Sequence, residues 1–354
     1  MKKTVLLMAG LLTVSAAWAQ NLDKKEAKAL QTYLSQPSAK GITNAQALGA
    51  SVANVAQTPG IVIENGHVTS IDWSHKDLSG NLDLSGFQSL TKLDVSNNKI
   101  DQITITNDPV LVDINASKNT IHTVTITGTP QMQLLRLQNN RITDFDLAGV
   151  PFLKKFNISN NLISGLDVSS LANLEYLNVN NNRIKNLDVS MCTGLKSLYA
   201  SFNDITSLTL DGLVKLENLN VNNNQISKFY AQNLPALTTL MCSDNHMTDL
   251  AVNNCQNINQ VWAPYNSLVS FTVTDAPTLA YVTLEWNNLS YLNLSNLNFL
   301  QVVNVSNNQL MTLDVSFDPY LRTVNVTNNN LLTDLRTEGD PLLTQVIGYS
   351  DWDF

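Results

Sequence analysis

A period of 21 residues dominates this sequence and decides what the chain can fold into. In the stretch LTKLDVSNNKI, residues 90–100, apolar side chains stand at Leu90, Leu93, Val95 and Ile100. The spacing returns in twelve consecutive copies, each with an apolar residue at position one and asparagine at position nine. These asparagines are Asn98, Asn119, Asn140, Asn161, Asn182, Asn203, Asn224, Asn245, Asn266, Asn287, Asn308 and Asn329. Such recurrence is the signature of a solenoid, in which each repeat packs only on its neighbours.

The apolar pattern inside one copy predicts a short strand. Leu93 and Val95 are two residues apart, which is the strand period, so both point inward while Lys92 and Asp94 point outward. One such repeat has too small a core to fold alone, whereas repeats stacked in parallel close the apolar layer between them. We therefore expect one strand from each repeat and a single parallel sheet on one side of the molecule.

The asparagine at position nine is predicted to have a structural role. After the strand the chain must bend inward, which leaves backbone N–H and C=O groups without a strand partner. A buried carboxamide can satisfy both kinds of group, and stacked amides can also bond one another. Replacing a central copy such as Asn203 by alanine is therefore expected to destabilise the fold.

The pattern L-x-x-L-x-L-x-x-N-x-L over residues 68–348 resembles the leucine-rich repeat family, and the even 21-residue period is similar to bacterial internalin-like repeats. The resemblance implies a leucine-rich repeat solenoid of α/β type, mostly β, with about 14 parallel strands. We place the solenoid at residues 68–334. One inserted residue in the run 328–332 would restore the period afterwards.

Both ends of the chain differ from the repeats. Residues 1–19 have Lys2 and Lys3 before an apolar run, which predicts a secretory signal peptide. Residues 20–67 are predicted to form a helical cap, with one helix capped by Asp23 and a second from about Asn44 to the turn before Gly60. Residues 335–354 form an incomplete terminal repeat or cap. Two alternatives remain there: the last aromatic residues fold over the final layer, or a free sheet edge pairs with a second copy.

Charge and cysteine usage narrow the class of partner. Without the two lysines of the signal peptide, 19 basic and 29 acidic residues remain, so the mature charge is 19 minus 29, or −10. This balance disfavours nucleic acid as a partner. The mature sequence has no apolar run long enough for membrane insertion, and no cysteine follows the cleavage site to carry a lipid. Cys192, Cys242 and Cys255 are predicted to be buried free thiols.

The outward strand positions hold the candidate binding residues. Most of these positions are small and polar, but bulky and acidic side chains gather in the middle and later repeats. Neighbouring strands lie about 4.8 Å apart, so the group from Met241 to Trp286 is expected to form one continuous patch. The alternative is that these aromatic residues only pack on one another across the sheet. The candidate site residues are Tyr199, Phe202, Met241, Asp244, Trp262, Tyr265, Tyr281, Glu285 and Trp286.

Other chemistry is weakly indicated. Asp146, Asp167 and Asp188 recur at one phase on the opposite side, where they could ligate calcium, although a solvated acidic stripe fits as well. The four histidines occupy separate phases without metal-ligand spacing, and no nucleophile or phosphate-loop motif is present. We therefore expect no metal, no cofactor and no enzyme.

These observations favour an exported, non-catalytic recognition scaffold. Its expected partner is a protein, on a host or cell surface, bound through the outward strand face, as the internalin-like resemblance implies. A carbohydrate-binding module using the patch between Trp262 and Trp286 is the alternative, because planar aromatic groups beside Asn and Asp also suit a glycan. Periplasm, cell surface and extracellular space all remain open as the location.

Overall fold

The structure, a computed structural model, describes residues 22–349 in two units, one ending at Leu166 and the other beginning at Asp167. The predicted signal peptide lies outside the described residues, as do Trp352 and Phe354 at the other terminus. Each unit is a solenoid of parallel strands with few helices, which confirms the predicted fold class.

The first unit begins with three short helical segments. The longest of them, helix α1, spans Lys24–Leu34, α2 spans Asn44–Ala47, and a 3-10 helix spans Val52–Gln57. The Asp23 side chain caps α1 by accepting from the backbone N–H groups of Lys25 and Glu26, as predicted. The prediction of one continuous second helix is wrong. Gly49 has a φ of 67°, outside the helical region, so the chain turns there.

The helical cap is fixed to the first repeat by packing and by a buried carboxylate. The ring of Tyr33 on α1 stacks on that of Trp73 with centroids 5.8 Å apart, and both side chains are buried. Glu26, also buried, accepts from the backbone N–H of Val68 at 2.8 Å and contacts His67 Nδ1 at 3.0 Å. The cap therefore covers the apolar end of the first repeat.

The strands of the first unit form two sheets. In the larger sheet β1 pairs antiparallel with β2 across the turn at Asn65 and Gly66, and the other strands follow in parallel. Its strands are β1 (Ile61–Glu64), β2 (His67–Asp72), β4 (Lys92–Asp94), β6 (Asp113–Asn115), β8 (Leu134–Arg136) and β9 (Lys155–Asn157). The smaller sheet contains β3 (Ser79–Asp83), β5 (Lys99–Thr106) and β7 (Thr123–Thr127).

The second unit repeats this arrangement. Its larger sheet contains β10 (Tyr176–Asn178), β11 (Ser197–Tyr199), β12 (Asn218–Asn220), β14 (Thr239–Met241), β16 (Gln260–Trp262), β18 (Tyr281–Thr283), β20 (Val302–Asn304), β22 (Thr323–Asn325) and β24 (Gln345–Ile347). One small sheet contains β13 (Lys228–Gln232), β15 (Asp249–Asn253) and β17 (Ser270–Thr274). A second contains β19 (Tyr291–Asn293), β21 (Thr312–Asp314) and β23 (Asp334–Arg336).

The register follows the sequence period. Leu219 lies opposite Leu240, and Leu240 lies opposite Val261, each pair 21 residues apart. At the far end Thr323 lies opposite Gln345, a step of 22 residues, which confirms the inserted residue. The expectation of one strand per repeat is wrong, because the second half of many repeats alternates apolar and polar residues as well and forms the small sheets.

The asparagines at position nine join each repeat to the one before it. Asn203 is 6% exposed, and its Oδ1 accepts from the backbone N–H of Ile184 in the preceding repeat at 3.0 Å. Its Nδ2 donates to the carbonyls of Val179 and Ala200, one in each repeat. Asn224 and Asn245 make the same set of bonds. The bonds of these three amides go to backbone groups rather than from one amide to the next.

Candidate functional site

The outward face of each repeat is made by positions three, five, seven and eight, counted from the leucine that stands before the strand. In the first unit most of these positions are polar, and several of their side chains bond one another. Arg136 donates to Asp113 at 2.7 Å, and Asn115 donates to Asp94 at 2.9 Å. Part of the charge on this face is therefore already neutralised within the protein.

Position eight has an unusual backbone conformation. It lies in the left-handed region, with φ between 53° and 60° from Asn181 to Asn328. Asparagine, which adopts this region readily, occupies four of these eight positions. Phe202, Tyr265 and Trp286 occupy three others and are each more than half exposed. Such a backbone costs an L-residue about 1–2 kcal/mol, so these rings are held outward against their own conformational preference.

Two of the rings at position eight contact each other. Tyr265 and Trp286 stack with centroids 5.9 Å apart and planes inclined by 11°. Because they occupy the same position in successive repeats, the stack runs along the repeat direction. Each ring turns one face to its partner and the other face away, so the free face of Tyr265 points towards the repeat that contains Asp244.

Position five supplies a second row of side chains. Met241 lies directly opposite Trp262 in the parallel ladder, and Trp262 lies opposite Thr283. Trp262 is 43% exposed, whereas Met241 is half-buried. Within residues 22–349 no ring contact joins Trp262 to the stack at position eight. The indole of Trp262 therefore stands separately beside that stack.

Carboxylates lie next to these rings. Asp244 is exposed at position eight, one repeat before Tyr265, and its backbone N–H donates to the carbonyl of Pro264. Glu285 precedes Trp286 and is half-buried, and its buried Oε2 has no hydrogen-bond partner in the described part of the chain. The buried Oγ1 of Thr283 likewise lacks one there. Buried polar atoms without partners are rare in folded proteins, so these two require an explanation.

The other candidate residues are placed differently. Tyr281 is at position three, opposite Gln260, and its hydroxyl donates to Gln301 Oε1 at 3.2 Å. Tyr199 is half-buried and packs at 5.6 Å on the ring of Tyr176, a residue that the sequence analysis did not select. Phe202 is exposed at position eight but lies two repeats before Asp244. Tyr199 and Phe202 thus belong to an earlier part of the face.

The sequence contains a further signal in its charge distribution, which bulky side chains alone do not reveal. From residue 229 to residue 321 there are six acidic residues and no Lys or Arg. Asp249 pairs with Lys228 and Asp314 with Arg336, each at 3.7 Å, and both partners lie outside that interval. Asp318 is buried. Asp244, Asp275 and Glu285 make no ion pair within the described residues.

The remaining candidates are structural. Asp167 and Asp188 each accept from the backbone N–H of the serine two residues later, at 2.9 Å, which fixes a turn. Across residues 22–349 no group of three or more metal-ligating side chains converges, and no helix there is long and apolar enough to cross a membrane. The three cysteines are buried and free, as predicted. Burial raises the pKa of Cys192 to about 11, which keeps this thiol unreactive.

Comparison with known proteins supports the repeat assignment. The Leucine Rich Repeat family model matches residues 152–174. None of the curated proteins matches the chain in sequence. A leucine-rich repeat protein of Leptospira interrogans is 19% identical, with a TM-score of 0.60 over 79% of this chain and 84% of its own. The structure of PEPR1–AtPEP1 is 19% identical, with a TM-score of 0.68 over 92% of this chain and 52% of its own.

An internalin of Listeria monocytogenes is also similar, at 19% identity and a TM-score of 0.50, over 77% of this chain and 87% of its own. At these identities the likeness concerns the fold. The 21-residue period, the parallel-strand solenoid of each unit and the family model all agree, so this chain has the fold of the leucine-rich repeat proteins.

Proposed function

We propose that this chain is an exported, non-catalytic recognition protein that binds a protein partner through the outward face of its second unit. The binding surface consists of Met241, Trp262, Tyr265 and Trp286, with Asp244 and Glu285 beside them, and we name it the aromatic surface. The observation that carries the proposal is the exposed stack of Tyr265 and Trp286 on left-handed backbone. Strained residues persist where the surrounding structure holds them, and they cluster at functional sites.

The composition of the aromatic surface suits a protein interface. Tryptophan, tyrosine and methionine are enriched at the centres of such interfaces because they bury much area with few rotatable bonds. A protein partner is consistent with the related structures PEPR1–AtPEP1 and the LRIM1/APL1C complex, which are named as pairs of molecules. Leucine-rich repeat scaffolds are commonly used for protein recognition. Export rests on the sequence of residues 1–19.

A glycan remains the alternative ligand, favoured by Trp262. Its indole is 43% exposed and free of ring contacts in the described part of the chain, so a sugar could stack on it. The paired rings of Tyr265 and Trp286 favour this less, because each has one face occupied by the other. Edge-to-edge dimerisation stays a prediction. Among the described residues β24 pairs with β22 on one side only.

The decisive experiment selects ligands in parallel from a displayed library of surface proteins and from a glycan array. Each ligand is then titrated against Trp262→Ala and Trp286→Ala. We expect protein ligands whose affinity falls at least about 30-fold in either variant, since central aromatic anchors are worth about 2 kcal/mol or more.

Phe299→Ala and Tyr320→Ala provide the matched control. Phe299 and Tyr320 also stack, at 5.8 Å and 8°, and are 52% and 50% exposed. They lie at position 21, before the strands and away from the outward face. Equal losses in both pairs of variants, or glycan ligands alone, would refute the protein-binding proposal.

A further inference from the structure

The aromatic surface carries carboxylate groups without a matching positive charge. Glu285 Oε2 is buried and unpartnered within the described residues, and Asp244 makes no ion pair there. A buried carboxylate oxygen without a partner is costly unless a cation or a donor approaches it. Because no Lys or Arg occurs between residues 229 and 321, the repeats around the surface supply no such cation.

The rings define where a cation could bind. The face of Tyr265 that turns away from Trp286 points towards the Asp244 repeat, one repeat spacing away. Asp244 has a short side chain at the position where a third ring would otherwise continue the stack. A flat group placed on Tyr265 would therefore have an aromatic ring on one side and a carboxylate at its edge.

We propose that the aromatic surface binds an arginine side chain of the partner, which stacks on the free face of Tyr265 and pairs with Asp244, while Glu285 adds negative charge from the Trp286 repeat. A guanidinium group is planar, stacks on aromatic faces and donates several hydrogen bonds to carboxylates. A lysine ammonium fits less well, because it is a compact and strongly hydrated point charge that does not stack. This inference rests on the proposed function and specifies the chemistry of the partner.

The charge of the surface also suits this partner at longer range. Attraction between an acidic face and a basic one raises the rate of encounter and excludes acidic competitors. The outward face of the first unit differs, because Arg136 there already pairs with Asp113. Asp244 and Glu285, near Tyr265, make no such ion pair within the described residues.

The test uses three peptides of equal length: hexa-arginine, hexa-lysine and hexa-citrulline. Citrulline keeps the shape of arginine but is uncharged. Binding to the full chain is followed by NMR of the indole N–H groups of Trp286 and Trp73. Trp73 is buried beneath the helical cap and serves as the internal reference. About 0.15 M salt screens attraction beyond the immediate contact.

Hexa-arginine is expected to shift the Trp286 signal saturably and leave the Trp73 signal in place, with hexa-lysine weaker and hexa-citrulline silent. Asp244→Asn should weaken hexa-arginine binding about threefold to tenfold, and Glu285→Gln should weaken it less. Asp275→Asn is the control, because Asp275 is also exposed and left-handed, with a φ of 50° against 53° for Asp244, but lies outside the aromatic surface.

Three results would overturn the inference: no saturable shift, equal shifts with citrulline, or equal weakening by Asp275→Asn. Those results leave the proposed function intact if selected protein ligands still depend on Trp262 and Trp286. Loss of that dependence removes the proposed function instead, so the two failures are distinguishable. Tyr265→Asn tests whether arginine stacks on Tyr265. Asparagine is the replacement because it occupies the same left-handed position at Asn223 and Asn307.

Discussion

Positions eight and nine of the repeat are neighbours in sequence but differ in what they do. In the second unit position nine is always asparagine, with its amide turned into the core and bonded to backbone groups of two repeats, as at Asn203 and Asn287. Position eight points outward and varies from asparagine to Phe202, Asp244 and Trp286. The residue type at position nine is fixed by hydrogen-bond requirements, whereas position eight can vary and can contribute to binding a partner.

The fold tolerates chemical variety at position eight but not at position nine. A buried polar group is stable only when every donor and acceptor is satisfied, so position nine allows a single solution. An exposed left-handed residue has to meet only a backbone cost, and a useful side chain can outweigh that cost. Substitutions at the two positions should therefore differ in their effects on stability and on binding.

The largest expected change in stability concerns Asp318, a buried polar residue whose hydrogen-bonding groups, unlike those at position nine, are not all satisfied. Asp318 is fully buried at position 19, where other repeats have Leu213, Leu234 and Leu297. Its Oδ1 accepts from the Leu297 N–H, but its Oδ2 has no partner within the described residues. Burial, together with the neighbouring Asp340 and Asp314, raises the pKa of Asp318 to about 8.

A raised pKa means that the folded state binds the proton more tightly than the unfolded chain does. The stability contributed by protonated Asp318 is therefore fully present below about pH 4 and is lost as the pH rises to about 8. Asparagine imitates the protonated acid. The free energy of unfolding of Asp318→Asn, relative to that of the parent protein, should therefore rise by up to about 1.4 kcal/mol per pH unit in that window. Denaturant melts between pH 4.5 and 8 measure it. A pH-independent difference, or the same behaviour in the exposed control Asp211→Asn, would contradict the prediction.

The second effect tests position nine itself. Asn203→Ala removes one acceptor and one donating amide group and leaves the Ile184 N–H without its acceptor in the core, while the Val179 carbonyl keeps only the Asn182 amide as a donor. The expected loss is about 1–3 kcal/mol in the free energy of unfolding. Asn218→Ala, at a half-buried outward strand position, is the matched control and should change stability by less than about 0.5 kcal/mol. Similar losses at the two sites would mean that position nine has no special role.

The structural role of position nine could be predicted from the sequence more fully than that of position eight. The asparagine column and the strand period follow from spacing alone, so the solenoid, the buried amides and the inserted residue could be predicted. The small sheets were missed because their alternating pattern, as in Ser270–Thr274, was counted only as additional core. Trp286 and Tyr265 were selected as bulky residues on a polar face. Their left-handed backbone had a sequence signal in the asparagines at position eight, but which rings stack depends on packing that spacing does not specify.

The smallest change in stability is expected at position eight, and it tests whether the fold depends on the residue at this position. Trp286→Asn should relieve about 1–2 kcal/mol of left-handed strain and lose about 0.5–1.5 kcal/mol of stacking with Tyr265. The two changes nearly cancel, so the free energy of unfolding should move by less than about 1 kcal/mol while binding through the aromatic surface is lost. Phe202→Asn relieves the same strain at an exposed residue with no ring contact in the described part of the chain, so it should stabilise the protein more than Trp286→Asn does. If Trp286→Asn instead destabilises the protein as much as Asn203→Ala, the stack supports the fold, and position eight cannot be assigned to recognition on grounds of conformation.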